Sequence, residues 1–123
     1  MTTMKTILTV DDSVTMRDML LSTLTGLGYR VIQAQDGEAG MDALRDEMPN
    51  VIITDINMPR LDGIGFIERI RLDARLKTMP ILVLTTERDP ATKERARRAG
   101  ATGWIMKPFD PAKLADAIRR VAA

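Results

Sequence analysis

The sequence predicts an α/β fold, a doubly wound parallel five-stranded sheet made of five (βα) units. Two observations carry that expectation. Short apolar, β-branched runs at residues 6–10, 30–34, 51–55, 81–85 and 104–106 alternate with five segments that carry helical periodicity or helical start and stop signals. Strands separated by helices of about ten residues or more need crossover connections, which are right-handed and give a parallel sheet covered on both faces. A chain of 123 residues with 45% hydrophobic content has the size of one domain, so residues 1–123 are expected to form a single unit.

Taken in order, TILTV at residues 6–10 runs directly into Asp11 and Asp12, with Ser13 placed as a helix N-cap. Met16, Met19, Leu20, Thr23, Leu24 and Leu27 follow helical spacing and are expected to form one buried stripe, ended by Gly26 and Gly28. Residues 30–34 read as the second strand. Asp36 and Gly37 then turn the chain into a helix expected to end near Met48, where Pro49 and Asn50 break it. The run 51–55 is β-branched and apolar until it stops at Asp55, as a strand buried on both faces would be. Asp62 caps a helix carrying Ile64, Ile67 and Ile70, and Pro80 precedes the fourth strand. Pro90 suits the first turn of a helix to Ala99 that offers only Ala91, Ala96 and Ala99 as apolar contacts, so it is expected to be the most loosely docked. Gly100 and Gly103 bracket the turn into the fifth strand. Asp110 and Pro111 open a last helix with Leu114, Ala117, Ile118 and Val121 as its core stripe.

Composition excludes several chemistries. Eighteen basic and seventeen acidic residues leave a formal net charge of +1, which argues against a dedicated nucleic-acid or membrane surface. No apolar run approaches the roughly 18 residues of a membrane span, and acid appears too early for a signal peptide, so a cytoplasmic location is expected. With no cysteine and no histidine there is no disulfide, no thiol catalysis and no imidazole base or ligand. Neither a G-x-x-x-x-G-K-[ST] loop nor a G-x-G-x-x-G turn occurs, so the chain is not expected to bind a nucleotide itself.

What remains converges on one edge. Strand ends of an open α/β sheet face the ligand crevice, and neighbouring parallel strands lie about 4.8 Å apart. Asp11 and Asp12 after the first strand and Asp55 at the end of the third are therefore expected to share a patch. An oxygen-only, acidic set selects a hard cation such as Mg²⁺. Lys107 beyond the fifth strand and Thr85 at the end of the fourth add an ammonium and a hydroxyl. A carboxylate nucleophile, a metal site, a cation and a hydroxyl are the parts that phosphoryl transfer to an aspartate needs. The phosphoryl group would come from another protein or a small activated phosphate.

On these motifs, DDS at 11–13 with TMR at 15–17, DINMPRLDG at 55–63, LTTE at 84–87 and KPF at 107–109, the chain resembles the receiver domains of two-component response regulators. The resemblance spans essentially the whole chain and is strongest to single-domain chemotaxis regulators of the CheY type. It implies a flavodoxin-like sheet of order 2-1-3-4-5. It also implies that Asp55 is the phosphoacceptor, that Asp11, Asp12, Asp55 and the backbone carbonyl of Asn57 organise Mg²⁺, and that Thr85 and Lys107 read the phosphoryl group. Asn57 and Glu87 would tune dephosphorylation, Trp104 and Thr85 would form the switch to an output face, and the Lys107–Pro108 peptide would be cis.

Expected partners are a histidine kinase of the chemotaxis type as donor and the flagellar motor switch protein or another output partner, with a phosphatase as an open further one. The chain would act as a monomer and catalyse its own phosphorylation and dephosphorylation without being an enzyme in the ordinary sense. Two positions depart from the family. Trp104 stands where chemotaxis regulators usually carry tyrosine, and Thr86 where many receivers have Ala or Ser. Rival readings are a phosphorelay intermediate, a phosphate sink, a binding-only module, or a Mg²⁺-dependent aspartyl-phosphate hydrolase. The hydrolase would want a second acid where Asn57 stands.

Overall fold

Strands β1 (Thr6–Val10), β3 (Val51–Thr54) and β4 (Ile81–Thr85) are buried along their whole length, which places them at the centre of the sheet. The edges are β2 (Arg30–Ala34) and β5 (Gly103–Met106), both only partly covered. In this computed structural model, which describes residues 4–122, the order is β2-β1-β3-β4-β5 with every pair parallel. This is the doubly wound α/β arrangement that the alternation predicts. The order reverses between β1 and β3, so their carboxyl ends open onto the crevice at a topological switch point.

Two helical layers cover the sheet. Helices α1 (Val14–Gly26) and α5 (Pro111–Val121) pack Leu20, Leu24, Leu114 and Ile118 against Ile7, Ile53 and Leu82 on one face. On the other face, α2 (Gly37–Asp46), α3 (Gly63–Leu72) and α4 (Pro90–Ala99) cover Leu8, Ile52 and Val83, with Phe66, Ile67 and Ile70 at the centre. Each helix starts on an oxygen cap. The side chains of Ser13, Asp36, Asp62, Asp89 and Asp110 accept from Met16, Ala39, Gly65, Ala91 and Ala112 backbone N–H groups. Among the described residues, no helix is long and apolar enough to cross a membrane.

Some expectations shift. The α1 stripe is narrower than its spacing suggests, because Met19 and Leu27 are 46% and 44% exposed. Leu27 has left the helix as its C-cap, and Met19 is rotated one position away from the Leu20–Leu24 line. Helix α2 stops at Asp46, because Glu47 is already extended on the approach to Pro49. On α5 the buried alanine is Ala115, while Ala117 is only partly covered. The connection from α3 to β4 also holds a single 3₁₀ turn, Ala74–Leu76, which the alternation of strands and helices does not announce.

Candidate functional site

Register alone brings the acids together. Val10 pairs with Thr54 across β1 and β3, so Asp11 and Asp55 are the next residues to leave the sheet side by side. Both still use the ladder: Asp11 N donates to Ala34 O at 3.1 Å and Asp55 N to Val10 O at 3.0 Å. Carboxylate oxygens of Asp11, Asp12 and Asp55 all lie within 4.8 Å of one another. Asp11 and Asp55 are buried and Asp12 is exposed, so the cluster opens to water on one side.

Lys107 joins from the far strand. Met106 pairs with Thr85, and Lys107 N donates to Thr85 O at 2.9 Å, which aims the side chain across the end of β4. Its ammonium donates to Asp11 Oδ2 and Asp55 Oδ2, each at 2.8 Å. Burial works against that ammonium, but its hydrogen bonds to Asp11 and Asp55 and their charges outweigh the burial and raise its pKa above the usual lysine value. Three carboxylates against one ammonium leave an excess of two negative charges in a partly desolvated pocket. An all-oxygen cluster with that excess and an open, hydrated side suits a hard divalent cation, and Mg²⁺ chemistry fits it.

The backbone after Asp55 is built for close approach. A Cβ on Gly63 would stand 2.1 Å from the Asp55 carbonyl oxygen, so only glycine lets α3 begin there. Gly63 N donates to Ile56 O at 2.8 Å, and Ile56 N to Asp55 Oδ1 at 2.6 Å, which fixes the carboxyl group's plane.

The remaining candidates stand slightly apart. Thr85 is fully buried, and its hydroxyl accepts from Glu87 N at 3.1 Å rather than engaging the carboxylates. Asn57 and Glu87 meet each other, with Asn57 Nδ2 donating to Glu87 Oε2 at 3.4 Å. Trp104 is not in the acid pocket. It lies beside Val83, partly buried against the α4 side of the core, and its indole N–H points at Met106 Sδ at 3.4 Å. Two depressions flank it: one of about 340 Å³ lined by residues including Pro90, Lys93, Glu94 and Arg97, the other of about 240 Å³ reaching Glu87 and Arg88. Thr86 is exposed and lies outside the core. The Lys107–Pro108 peptide is cis.

Two arginines near the site lie within motifs quoted above, yet sequence reasoning gives neither a role. Arg17 donates to the Asp11 carbonyl at 2.7 Å and so braces the loop that carries both first-strand acids. Arg60, in the middle of the loop after Asp55, reaches the buried Asp36 at the start of α2 at 3.2 Å. Arg17 is placed by its motif one turn into the helix that follows the acids, but nothing around Arg60 points to a partner at Asp36.

Known proteins resemble this chain in sequence and fold. A curated relative, the probable chemotaxis protein CheY of Rhizobium etli, is 40% identical over 116 residues, covering 94% of this chain and 90% of its own length. The probable transcriptional regulator ycf27 of Guillardia theta is also 40% identical, but this chain spans only 46% of it. Among solved structures, the chemotaxis response regulator CheY4 of Vibrio cholerae superposes with a TM-score of 0.91 at 41% identity, covering 97% of this chain and 99% of that one. The model of the response regulator receiver domain matches residues 7–119, and with that match the chain belongs to the response regulator receiver family.

Proposed function

We propose that this chain is a single receiver domain, residues 1–123, that acts as a phosphorylation-dependent switch in a two-component system of the chemotaxis type. Asp55 is the phosphoacceptor, and a histidine kinase is the donor. The observation that carries the reading is the company Asp55 keeps. Its carboxylate is 90% buried at the end of a central strand, shares a cluster with Asp11 and Asp12, and has the Lys107 ammonium at 2.8 Å. A buried carboxylate without a counter-charge costs several kcal/mol, so this one is both stabilised and positioned.

In the transfer, an Asp55 oxygen forms a bond to phosphorus as the phosphorus–nitrogen bond of a donor phosphohistidine breaks. Lys107, already bonded to that carboxylate, follows the charge onto the phosphoryl oxygens, and the buried Thr85 hydroxyl is the nearest one on β4 able to donate to them. Asp11, Asp12, Asp55 and the Asn57 carbonyl would hold Mg²⁺, which supplies charge neutralisation when bound. Asn57 and Glu87 flank the opening and would set how readily water reaches the acyl phosphate. The protein thus assists its own phosphorylation and hydrolysis, and a phosphatase would act at the same opening.

Output follows from the neighbouring face. Thr85 and Trp104 lie on adjacent strands, and the depressions beside Trp104 lie along α4 and β5. A shift of Thr85 toward a phosphoryl oxygen would bias that face, and the flagellar motor switch protein is the partner proposed for it. The chain would do this as a cytoplasmic monomer.

Incubation with Mg²⁺ and acetyl phosphate followed by intact-mass measurement tests the reading. One phosphoryl adduct is expected on wild type and none on Asp55→Asn, with a change in Trp104 emission that only wild type shows. An adduct that persists in Asp55→Asn would refute the assignment of the acceptor.

A further inference from the structure

The loop between Asp55 and Gly63 is tied at both ends by its own backbone, through Ile56 N to Asp55 Oδ1 and Gly63 N to Ile56 O. Its apex is tied differently. There the Arg60 guanidinium donates at 3.2 Å to Oδ2 of Asp36, the N-cap of α2. The Asp36 side chain is only 3% exposed, and its other oxygen accepts from Ala39 N at 2.8 Å as the helix cap. One buried carboxylate thus caps α2 with one oxygen and clasps the loop with the other. Beside it, Gly37 N donates to Leu61 O at 3.3 Å, and a Cβ on Gly37 would meet that oxygen at 2.6 Å, so the loop lies flush on the helix start.

Arg60 itself sits at φ +66°, in the left-handed region that favours glycine. Glycine would adopt that backbone without strain, so what arginine adds is its side chain. Asp36 needs a counter-charge, because an ionised carboxylate out of water is costly when unpaired. The pair joins two elements that both border the acid cluster: Asn57 lies three residues before Arg60, and Asp36 two residues after the end of β2, whose Ala34 carbonyl holds Asp11 N.

Resting on the receiver reading above, we propose that Arg60 is a positioning residue for phosphoryl transfer. By clasping buried Asp36 it holds the loop apex so that the Asn57 carbonyl and the Asp55 carboxylate meet the cation in one geometry. It acts on the site through the loop and touches no phosphoryl oxygen.

Mg²⁺ affinity measured by calorimetry on the full chain tests this with Arg60→Gly, Arg60→Lys and Asp36→Asn. Arg60→Gly relieves the backbone but leaves the buried Asp36 without its counter-charge, and the two effects oppose each other in the thermal midpoint, so Mg²⁺ affinity of the folded chain is the readout. The Mg²⁺ dissociation constant of Arg60→Gly should rise, by up to about tenfold, which is the least that direct hydrogen-bond partners of metal ligands contribute. Asp36→Asn keeps a capping oxygen but removes the charge and should lose a similar factor, while Arg60→Lys should recover most of the affinity. The acetyl phosphate reaction of Arg60→Gly should be slow at limiting Mg²⁺ and return toward wild type at saturating Mg²⁺. An unchanged Mg²⁺ affinity in Arg60→Gly, or a rate defect that saturating Mg²⁺ leaves in place, overturns the inference. Failure of wild type to gain an adduct would instead sink the receiver chemistry, whatever Arg60 does.

Discussion

Helices α3 and α4 lie side by side on one face of the same sheet, are ten residues long each, and are held by opposite means. α3 buries Ile64, Phe66, Ile67 and Ile70 and begins with Gly63 pressed onto the Asp55 carbonyl. α4, PATKERARRA, buries Ala96 alone. The helix that follows the Asp55 loop is anchored by core area, whereas the helix beside Trp104 is charged at half of its positions and buries almost nothing. Under the proposed function, the site that would keep its geometry is built on the first kind, and the face that would change is bordered by the second.

The contrast is sharpest at Phe66. Fully buried, it touches α2 so closely that a Cβ on Gly40 would stand 2.8 Å from its ring. Phe66→Ala should cost about 3–5 kcal/mol, read as a lower urea midpoint, and should loosen the Asp55 loop with it. No substitution of an apolar α4 side chain should approach this. A smaller loss at Phe66 than at Ala96 would remove the distinction between the two helices.

α4 is not loose throughout, because Arg71, at the end of α3, pins its far end. The guanidinium donates to Gly100 O twice, at 2.7 and 3.2 Å, and to the carbonyls of Leu76 and Met79 at 2.8 and 2.7 Å. One charged group therefore stitches the α3–β4 connection to the residue at which α4 ends. Arg71→Met keeps the stem and removes the donors, which should cost about 2 kcal/mol. Hydrogen exchange should rise at residues 76–79 and in the last turn of α4, with the first turn unaffected. Uniform loosening along α4 would mean that Arg71 is not its anchor.

Arg60 and Arg71 mark where the sequence stops being legible. Strands, caps and the meeting of Asp11, Asp12 and Asp55 follow from local pattern and from the register of a parallel sheet, so the chain itself announces them. The weak docking of α4 is legible too, from its three alanines. Arg60 and Arg71 instead bind a distant carboxylate and distant carbonyls, and nothing in their neighbours distinguishes them from solvated surface. The exposure of Met19 and Leu27 is hidden for a related reason: apolar type at near-helical spacing does not reveal which way the helix is turned.

Ala96 tests the middle of α4. Its methyl is completely buried in the shared core, and Ala96→Gly combines the loss of that methyl with the cost of glycine inside a helix, about 1 kcal/mol. Exchange should rise through α4 and leave α3 protected. If α3 loosened equally, the two helices would belong to one cooperative unit, and α4 could not move independently of the Asp55 loop.

The smallest expected effect lies on the surface of α4 that borders the depression beside Trp104, where Glu94 accepts from Arg97 and Arg98. The hydrogen bond from Arg97 is the main cause that brings the Glu94 carboxyl down to about 2, from 4.5 for an unpaired one. A carboxylate whose folded pKa is depressed gives its full contribution above about 4.5 and loses it as pH falls through about 2. The group is exposed, so the contribution is screened and local. Between those pH values the protection factors of α4 amides should fall relative to those of α3 in wild type, while in Glu94→Gln the ratio should already be low and stay flat. Raising the salt to about 1 M, where the Debye length shrinks to about 3 Å, should flatten the wild-type profile as well. A parallel fall in both helices would report global acid unfolding. An undiminished α4 at low pH would show that the buried Ala96 and the Arg71 pin hold that helix without help from its surface.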